Sequence, residues 1–420
     1  MTEPHAGRVS TPSYSSTGRA LLCVTGGVAA YKTPELVRRL REAGCEVEVM
    51  MTRAAERFVS PLTLATLAGR RVWRQEDFLS DRHGFEIPHI RLTEWADVIL
   101  VAPCTANTAS DLARGGGESL VGAALLAARS PVLIFPAMNE RMFDHPATQE
   151  NLRVLAGRGV RVVDPAAGAL ACGAEGRGRM PEPEEIVEEV RRALTPQDMA
   201  GLHVLVTAGP TREYLDPVRY ISNPSSGRMG LAMARTAWYR GAEVRLILGP
   251  VTPPRTLHGL EVVPVVSALD MRDAVMGNLD WAKVVVKAAA VGDYRAKERA
   301  PHKVKRQGRD EVSIALVQNP DIAAGVGERK RSDQLLIGFA AETEDLLDNA
   351  RAKMERKGLD LILANDVLAP GSGFASETNT LRLIPREGRE GEPETSEILS
   401  GSKEDVAGAV WDSLKRRRMF

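Results

Sequence analysis

The sequence predicts an α/β protein made of two doubly wound parallel sheets in tandem. Three observations carry that expectation. Short apolar runs alternate with amphipathic helical patterns, the alternation restarts near residue 203, and each half opens with a strand followed by a glycine-rich turn and a helix. At 420 residues, each half is long enough to bury a core of its own.

Residues 1–18 are polar and rich in Ser, Thr and Pro, and read as a flexible arm without the apolar core of a signal peptide. The first half then carries strand-like runs at 20–25, 46–52, 97–103, 131–137 and 160–164. The second carries them at 203–209, 243–249, 261–266, 284–290, 335–341 and 361–366. Runs that are apolar throughout fit strands buried on both faces of parallel sheets. From Pro34, the residues Leu36, Val37, Leu40 and Ala43 share one helical face, and Gly44 suits the position just past the helix end. Residues 231–248 repeat the layout of 36–51: helix, glycine, then a strand with Glu-Val near its start. Two Rossmann-like domains follow, with arm 1–18, a first domain 19–193, a linker 194–201 around Pro196, and a second domain 202–420. Segments 74–94, 165–183, 292–312 and 366–380 read as long loops.

Composition excludes several classes. The 55 basic and 55 acidic residues balance, which argues against general nucleic-acid affinity and a polybasic membrane surface. The longest apolar runs are far shorter than a membrane span. Cys23, Cys45, Cys104 and Cys172 form no CxxC pair, so neither a disulfide framework nor a zinc site is expected, and a reducing cytoplasm fits best.

In the first half, 25-TGGVAAYK-32 follows a strand and opens a helix, so backbone N–H groups and a helix dipole can meet an anion there. It is not G-x-G-x-x-G, and a glycine pair alone is often only tight-turn geometry. Thr52 and 102-APCTANTA-109 stand at further strand ends, where doubly wound sheets bind ligands. His89, in 88-PHIRL-92, reads as part of the long loop before the third strand; alone it would be an ordinary surface histidine. Asn139, in 135-FPAMN-139, can hold a carboxylate or a flavin edge, or simply cap the next segment. Cys172 opens the glycine-rich stretch CGAEGRGRM, and is either an incidental surface thiol or carried by a loop built to move and deliver it.

Taken in order across residues 20–180, TGGVAAYK, PHIRL, APCTAN, FPAMN and ACGAEGRGRM closely resemble the flavin-dependent cysteine decarboxylases acting on phosphopantothenoylcysteine. The resemblance implies FMN held by Thr25, Gly26, Gly27, Thr52, Pro103, Thr105 and Asn107. It implies a reaction in which the substrate thiol is oxidised, the resulting thioaldehyde accepts electrons as carbon dioxide leaves, and the enethiolate is protonated and reduced. Cys172 matches the proton donor, His89 a base or orienting group, and Asn139 the holder of the departing carboxylate. A mobile loop carrying Cys172 would exclude water. One departure stands at 115-GGGESL-120, where Glu118 and Ser119 replace the usual acidic or amide pair.

In the second half, 207-TAGPTREYLDPVRYISNPSSGRMG-230, 288-AAAVGDYR-295, 301-PHKVKR-306, 319-NPDI-322, 338-GFAAET-343 and 351-ARAKMERKGLD-360 closely resemble phosphopantothenate–cysteine ligases. The resemblance implies activation of the 4′-phosphopantothenate carboxylate by CTP, with Mg2+ carried mainly by the CTP phosphates, then attack by the amine of L-cysteine on the acyl-cytidylate. Ala289, Asp293, Lys303 and Phe339 match nucleotide-site positions. So do Pro320, Asp321, Ile322 and Ala323, with Lys353 and Lys357 one helical turn apart. Asn223 matches a residue of the acyl-cytidylate step, and Lys303 a catalytic cation. Without the resemblance, the lysines would read as solvated charges. The implied assembly is a homo-oligomer, with trimers of the first domain, dimers of the second and up to a dodecamer for a fused chain. The rival readings are a flavodomain acting on another cysteine-type substrate, or a regulatory flavin-binding module.

Overall fold

A computed structural model of the chain describes residues 18–80, 87–169, 175–253, 256–305, 313–342, 346–366, 376–386 and 397–420. They form two compact units, with the chain boundary between Thr195 and Pro196.

The first unit holds six parallel strands in the spatial order Val72–Arg74, Glu46–Met51, Arg19–Val24, Val98–Cys104, Val132–Pro136, Arg161–Val162. In chain order this is 3-2-1-4-5-6, the doubly wound arrangement. Its central strands are apolar throughout because both faces are covered. Leu22, Val24, Val49, Leu100 and Ala102 pack with helices Thr33–Glu42, Pro61–Ala68 and Pro183–Leu194. The alternate residues Leu21, Cys23, Met50, Ile99 and Val101 pack on the other side with helices Pro88–Trp95, Ala106–Ala113, Leu120–Ala127 and Pro146–Gly157.

The second unit repeats the order with Glu261–Pro264, Glu243–Leu248, His203–Ala208, Val284–Lys287, Leu335–Glu342 and Leu361–Asp366, all parallel. Two antiparallel strands, Thr378–Pro385 and Glu397–Ser402, extend its edge. The second sheet is therefore mixed rather than purely parallel. Strand Thr378–Pro385 alternates exposed and buried positions at its start, the pattern of a strand covered on one face, which a search for uniformly apolar runs passes over.

Three expected loops contain regular structure. Segment 74–94 ends in helix Pro88–Trp95, so His89 sits in a first helical turn and not in a loop. Segment 165–183 carries the antiparallel pair Ala166–Ala169 and Glu175–Arg179. Segment 292–312 begins with Tyr294–Ala296, which pairs with Leu316–Gln318. Pro88 at the first helical position and the small residues of the hairpin obscured these signals. No helix among the described residues is long and apolar enough to cross a membrane. Cys23, Cys45 and Cys104 are buried and form no disulfide, and burial pushes the Cys23 and Cys104 thiols up to about 12.

A buried arginine ties the second unit together. Arg240, just past helix Arg228–Tyr239, donates to both Asp198 oxygens at 2.7 and 2.6 Å and to Asp412 of the last helix at 2.7 Å. Lys415 adds a second cation to Asp198 at 2.8 Å. Burial alone would raise the Asp198 pKa, but Arg240 and Lys415 outweigh it and hold the group down at about 2. Its folded pKa is depressed, so this contribution is present above the ordinary carboxylate range and is lost as pH falls toward about 2. Arg240→Met, which takes the buried guanidinium away from Asp198 and Asp412, is expected to destabilise the second unit by about 3 kcal/mol, read from its denaturant midpoint at pH 7.

Candidate active sites

In the first unit, strands Arg19–Val24 and Val98–Cys104 lie side by side, and the connections from their C-terminal ends run to opposite faces of the sheet. Thr25 is fully buried there and donates to the carbonyl of Pro103 at 2.6 Å, while its hydroxyl accepts from the Thr105 N–H at 3.3 Å. These bonds tie the two strand ends together. The Ala102–Pro103 peptide is cis. Gly26 is required by close approach: a Cβ would lie 2.3 Å from that of Ala54. A Cβ on Gly27 would approach Thr105 to 3.3 Å. Thr105 caps helix Ala106–Ala113 through the Thr108 N–H, and Thr52 accepts from the Ala55 N–H.

A cavity of about 460 Å3 opens at this end, with Thr52, Arg53, Gln75, Asn107 and Ser119 in its wall. Thr25, Gly26, Gly27, Thr52, Pro103, Thr105 and Asn107 thus gather at one end of one sheet. The Glu118–Ser119 departure has a structural answer. Ser119 caps helix Leu120–Ala127 by accepting from the Gly122 N–H at 3.0 Å, as an aspartate could, and Gln75 accepts from the Leu120 N–H at 3.0 Å.

Asn139 caps the short helix Glu140–Phe143, accepting from the Arg141 N–H at 2.9 Å, so the capping alternative holds for its oxygen. Strand Glu175–Arg179 docks on this segment. The Met138 N–H donates to the Gly178 carbonyl at 2.9 Å, and the Arg177 N–H to Glu140 at 3.2 Å. Gly178 has φ 132°, and a Cβ would sit 2.2 Å from the Met138 carbonyl oxygen, so only glycine allows the contact. Cys172 lies outside the described residues. Lys32, buried, donates to the Met180 carbonyl at 3.2 Å and pairs with Glu182 at 3.0 Å, anchoring the end of this strand to the glycine turn. His89 packs edge-on against Phe78, its Nδ1 is buried without a hydrogen bond, and burial lowers its pKa. No hydrogen bond among the described residues joins His89 to Asn139.

In the second unit, the corresponding crevice lies between His203–Ala208 and Val284–Lys287. Thr207 accepts from the Ala289 N–H at 3.2 Å. Asn223 donates to the Ala290 and Val291 carbonyls at 3.3 and 3.2 Å, placing Asn223 beside Ala289 and Asp293. Asn319 donates to the Gly292 carbonyl and, through its backbone, to that of Asp293, both at 2.7 Å. Asp321 caps helix Ile322–Arg329 through the Ala324 N–H at 3.1 Å and pairs with Lys357 at 3.0 Å. Burial would raise the Asp321 pKa, but those N–H groups and Lys357 hold it below the carboxylate range. Gly227, at φ 69°, is the N-cap of helix Arg228–Tyr239. Lys303 is exposed, next to Val304, which Asp216 and Arg219 hold. Lys353 is half-buried on helix Leu346–Lys357. Phe339 packs on the sheet face opposite the helices carrying Asp321 and Lys357, so the structure does not cluster it with them.

Sequence reasoning passed over Lys287, the last residue of strand Val284–Lys287. It is buried, and its Nζ has no hydrogen bond. A charge at the end of an otherwise apolar strand was the available signal.

Residues 8–195 match the family model described as Flavoprotein, and residues 199–417 match that of the DNA/pantothenate metabolism flavoprotein C-terminal domain. The protein is thus of the flavoprotein class, with a pantothenate-metabolism domain following the flavoprotein domain. It is 44% identical over 403 residues to the coenzyme A biosynthesis bifunctional protein CoaBC of Escherichia coli K12, covering 95% of this chain and 98% of that one. The Bacillus subtilis CoaBC is 44% identical over 89% of this chain and 91% of its own. The chain belongs to the CoaBC family of bifunctional coenzyme A biosynthesis proteins. The crystal structure of the C-terminal domain of a CoaBC protein is also similar, at 36% identity, 53% coverage of this chain, 97% of that one and a TM-score of 0.42.

Thr25→Val keeps the shape of the buried side chain but leaves the Pro103 carbonyl and the Thr105 N–H unpaired. It is expected to cost the first unit about 1–3 kcal/mol, measured as a shift in its urea midpoint.

Proposed function

We propose that this chain ligates 4′-phosphopantothenate to L-cysteine with CTP in its C-terminal unit and decarboxylates the product to 4′-phosphopantetheine with FMN in its N-terminal unit. The observation that carries this reading is that relatives named for bifunctional coenzyme A biosynthesis align across both units. The proposed boundaries are a decarboxylase domain at 19–193 and a ligase domain at 202–420.

The first crevice fits FMN on its own geometry. Gly26 and Gly27 offer backbone without side chains beside Thr105, and a cavity of about 460 Å3 opens beside them. In this reading Thr25, Gly26, Gly27, Thr52, Pro103, Thr105 and Asn107 hold the cofactor. When bound, FMN supplies reversible two-electron chemistry at the cysteine-derived carbon. Asn139 orients the departing carboxylate. His89, whose neutral form burial favours, has a ring nitrogen without a hydrogen bond to accept or orient a proton. Cys172 hands a proton to the enethiolate, and the strand Glu175–Arg179 that follows it in the chain docks onto Met138–Glu140.

In the ligase half, the phosphopantothenate carboxylate attacks the α-phosphorus of CTP and pyrophosphate leaves. The cysteine amine then attacks the acyl carbon, loses its proton, and CMP departs. Mg2+ travels with the CTP phosphates. Lys303, Lys353 and Lys357 offset developing negative charge, and the N–H groups around Ile322 and Ala323 offer donors to phosphate oxygens. Asp293, Pro320, Asp321 and Ala289 complete the nucleotide site, and Phe339, on the opposite sheet face, stands outside it. Asn223, anchored through its NH2 group, presents its amide to the acyl-cytidylate. The proposed setting is the cytoplasm, as a homo-oligomer.

Purified protein given 4′-phosphopantothenate, L-cysteine, CTP and Mg2+ is expected to yield 4′-phosphopantetheine only when CTP is present, with a flavin band in its visible spectrum. Product without CTP, or accumulation of 4′-phosphopantothenoylcysteine alone, would sink the corresponding half of the reading. Cys172→Ser is expected to leave ligation intact and to release an oxidised enethiol after carbon dioxide is lost. Normal 4′-phosphopantetheine output from that variant removes Cys172 from the mechanism.

A further inference from the structure

Lys287 is the one buried lysine of the described second unit for which the crevice offers no hydrogen bond, and it ends the strand at the crevice floor. It is 9% exposed. In the sheet it is flanked by Thr207 and Gly338, neither of which carries a charge. It alternates with Val286, so it lies on the face of Val285, the face packed by helices Ile322–Arg329 and Leu346–Lys357. The charged groups acting on it come from the ends of those helices: Asp321 attracts it and Lys357 repels it. Asp321 is already committed to Lys357 and to the N–H groups of its own helix.

A buried ammonium without a hydrogen bond is costly, and methionine would fill the same space without that cost. With Lys287 protonated, the cluster of Lys287, Asp321 and Lys357 carries excess positive charge beside a helix N-terminus, the complement of an arriving polyanion. We propose that Lys287 is a further binding cation for the polyphosphate of the nucleotide, acting with Lys357 at the N-terminus of helix Ile322–Arg329. The inference rests on the nucleotide reading of this crevice. Burial, most of all, lowers the Lys287 pKa to about 7, with Asp321 pulling it up and Lys357 pushing it down. Nucleotide binding consequently draws a proton onto Lys287 from near-neutral solution.

The test is calorimetric titration of CTP with Mg2+ into the full chain at pH 7.5, in two buffers of different ionisation enthalpy. Lys287→Met is expected to weaken CTP binding about tenfold, to raise the KM for CTP but not for cysteine, and to abolish a proton uptake seen in the parent. It is also expected to raise the melting midpoint of the ligand-free protein. Lys287→Arg, always charged, is expected to keep most of the affinity without the uptake. Unchanged affinity and uptake in Lys287→Met overturn the inference and leave the ligase reading standing. Equal losses of CTP affinity in both variants, with lowered melting midpoints, assign Lys287 to packing and also overturn it. A parent chain that neither binds CTP nor ligates fails at the level of the nucleotide reading itself.

Discussion

Both sites depend on one constraint: a parallel strand buried on both faces can be followed only by a crossover that returns the chain to the same starting edge. Every strand C-terminus then points to one edge of the sheet. Where the first strand meets the fourth, the two connections part to opposite faces and leave a crevice. Thr25 and Thr105 stand at this point in one unit, and Thr207 and Ala289 stand at it in the other. In each, a threonine hydroxyl crosses to a backbone N–H of the neighbouring strand end and holds the crevice floor together.

The two units use this shared geometry differently. The first builds its floor from glycines under steric demand, with Gly26 against Ala54 and Gly178 against the Met138 carbonyl. Such contacts give a surface of backbone with little side-chain charge, suited to a planar cofactor with a phosphate tail. The second surrounds its floor with amide and charged groups: Asn223, Asn319, Asp321, Lys287 and Lys357. That inventory suits a highly charged nucleotide whose phosphates must be neutralised and held. A buried arginine, Arg240, ties Asp198 and the last helix of this second unit together.

Much of this architecture was legible in the residues. All eleven apolar runs became strands, because uniform hydrophobicity over a short run has few other uses in a chain of this composition. Helix Thr33–Glu42 ends before Gly44, whose φ of 92° is the conformation glycine tolerates best. The edges were not legible: Val72–Arg74 is too short to stand out, and Thr378–Pro385 begins by alternating like any half-exposed segment. His89 read as a loop residue because a proline precedes it, yet Pro88 opens a helix. Glu118–Ser119 read as a departure, yet Ser119 keeps the helix cap.

The sequence by itself determined the two-sheet plan, the order of motifs along the chain and the residue types at both strand-end edges. These follow from local pattern, since periodicity, turn chemistry and short motifs depend on near neighbours along the chain. Only the tertiary structure decided which of those residues meet. Lys357 and Asp321 join across a gap in sequence that no periodicity spans, Phe339 falls on the far face, and Lys287 emerges as an ammonium without a hydrogen bond. The reason is physical: the cost of a buried charge depends on partners delivered by other elements, and a single strand of sequence does not contain them.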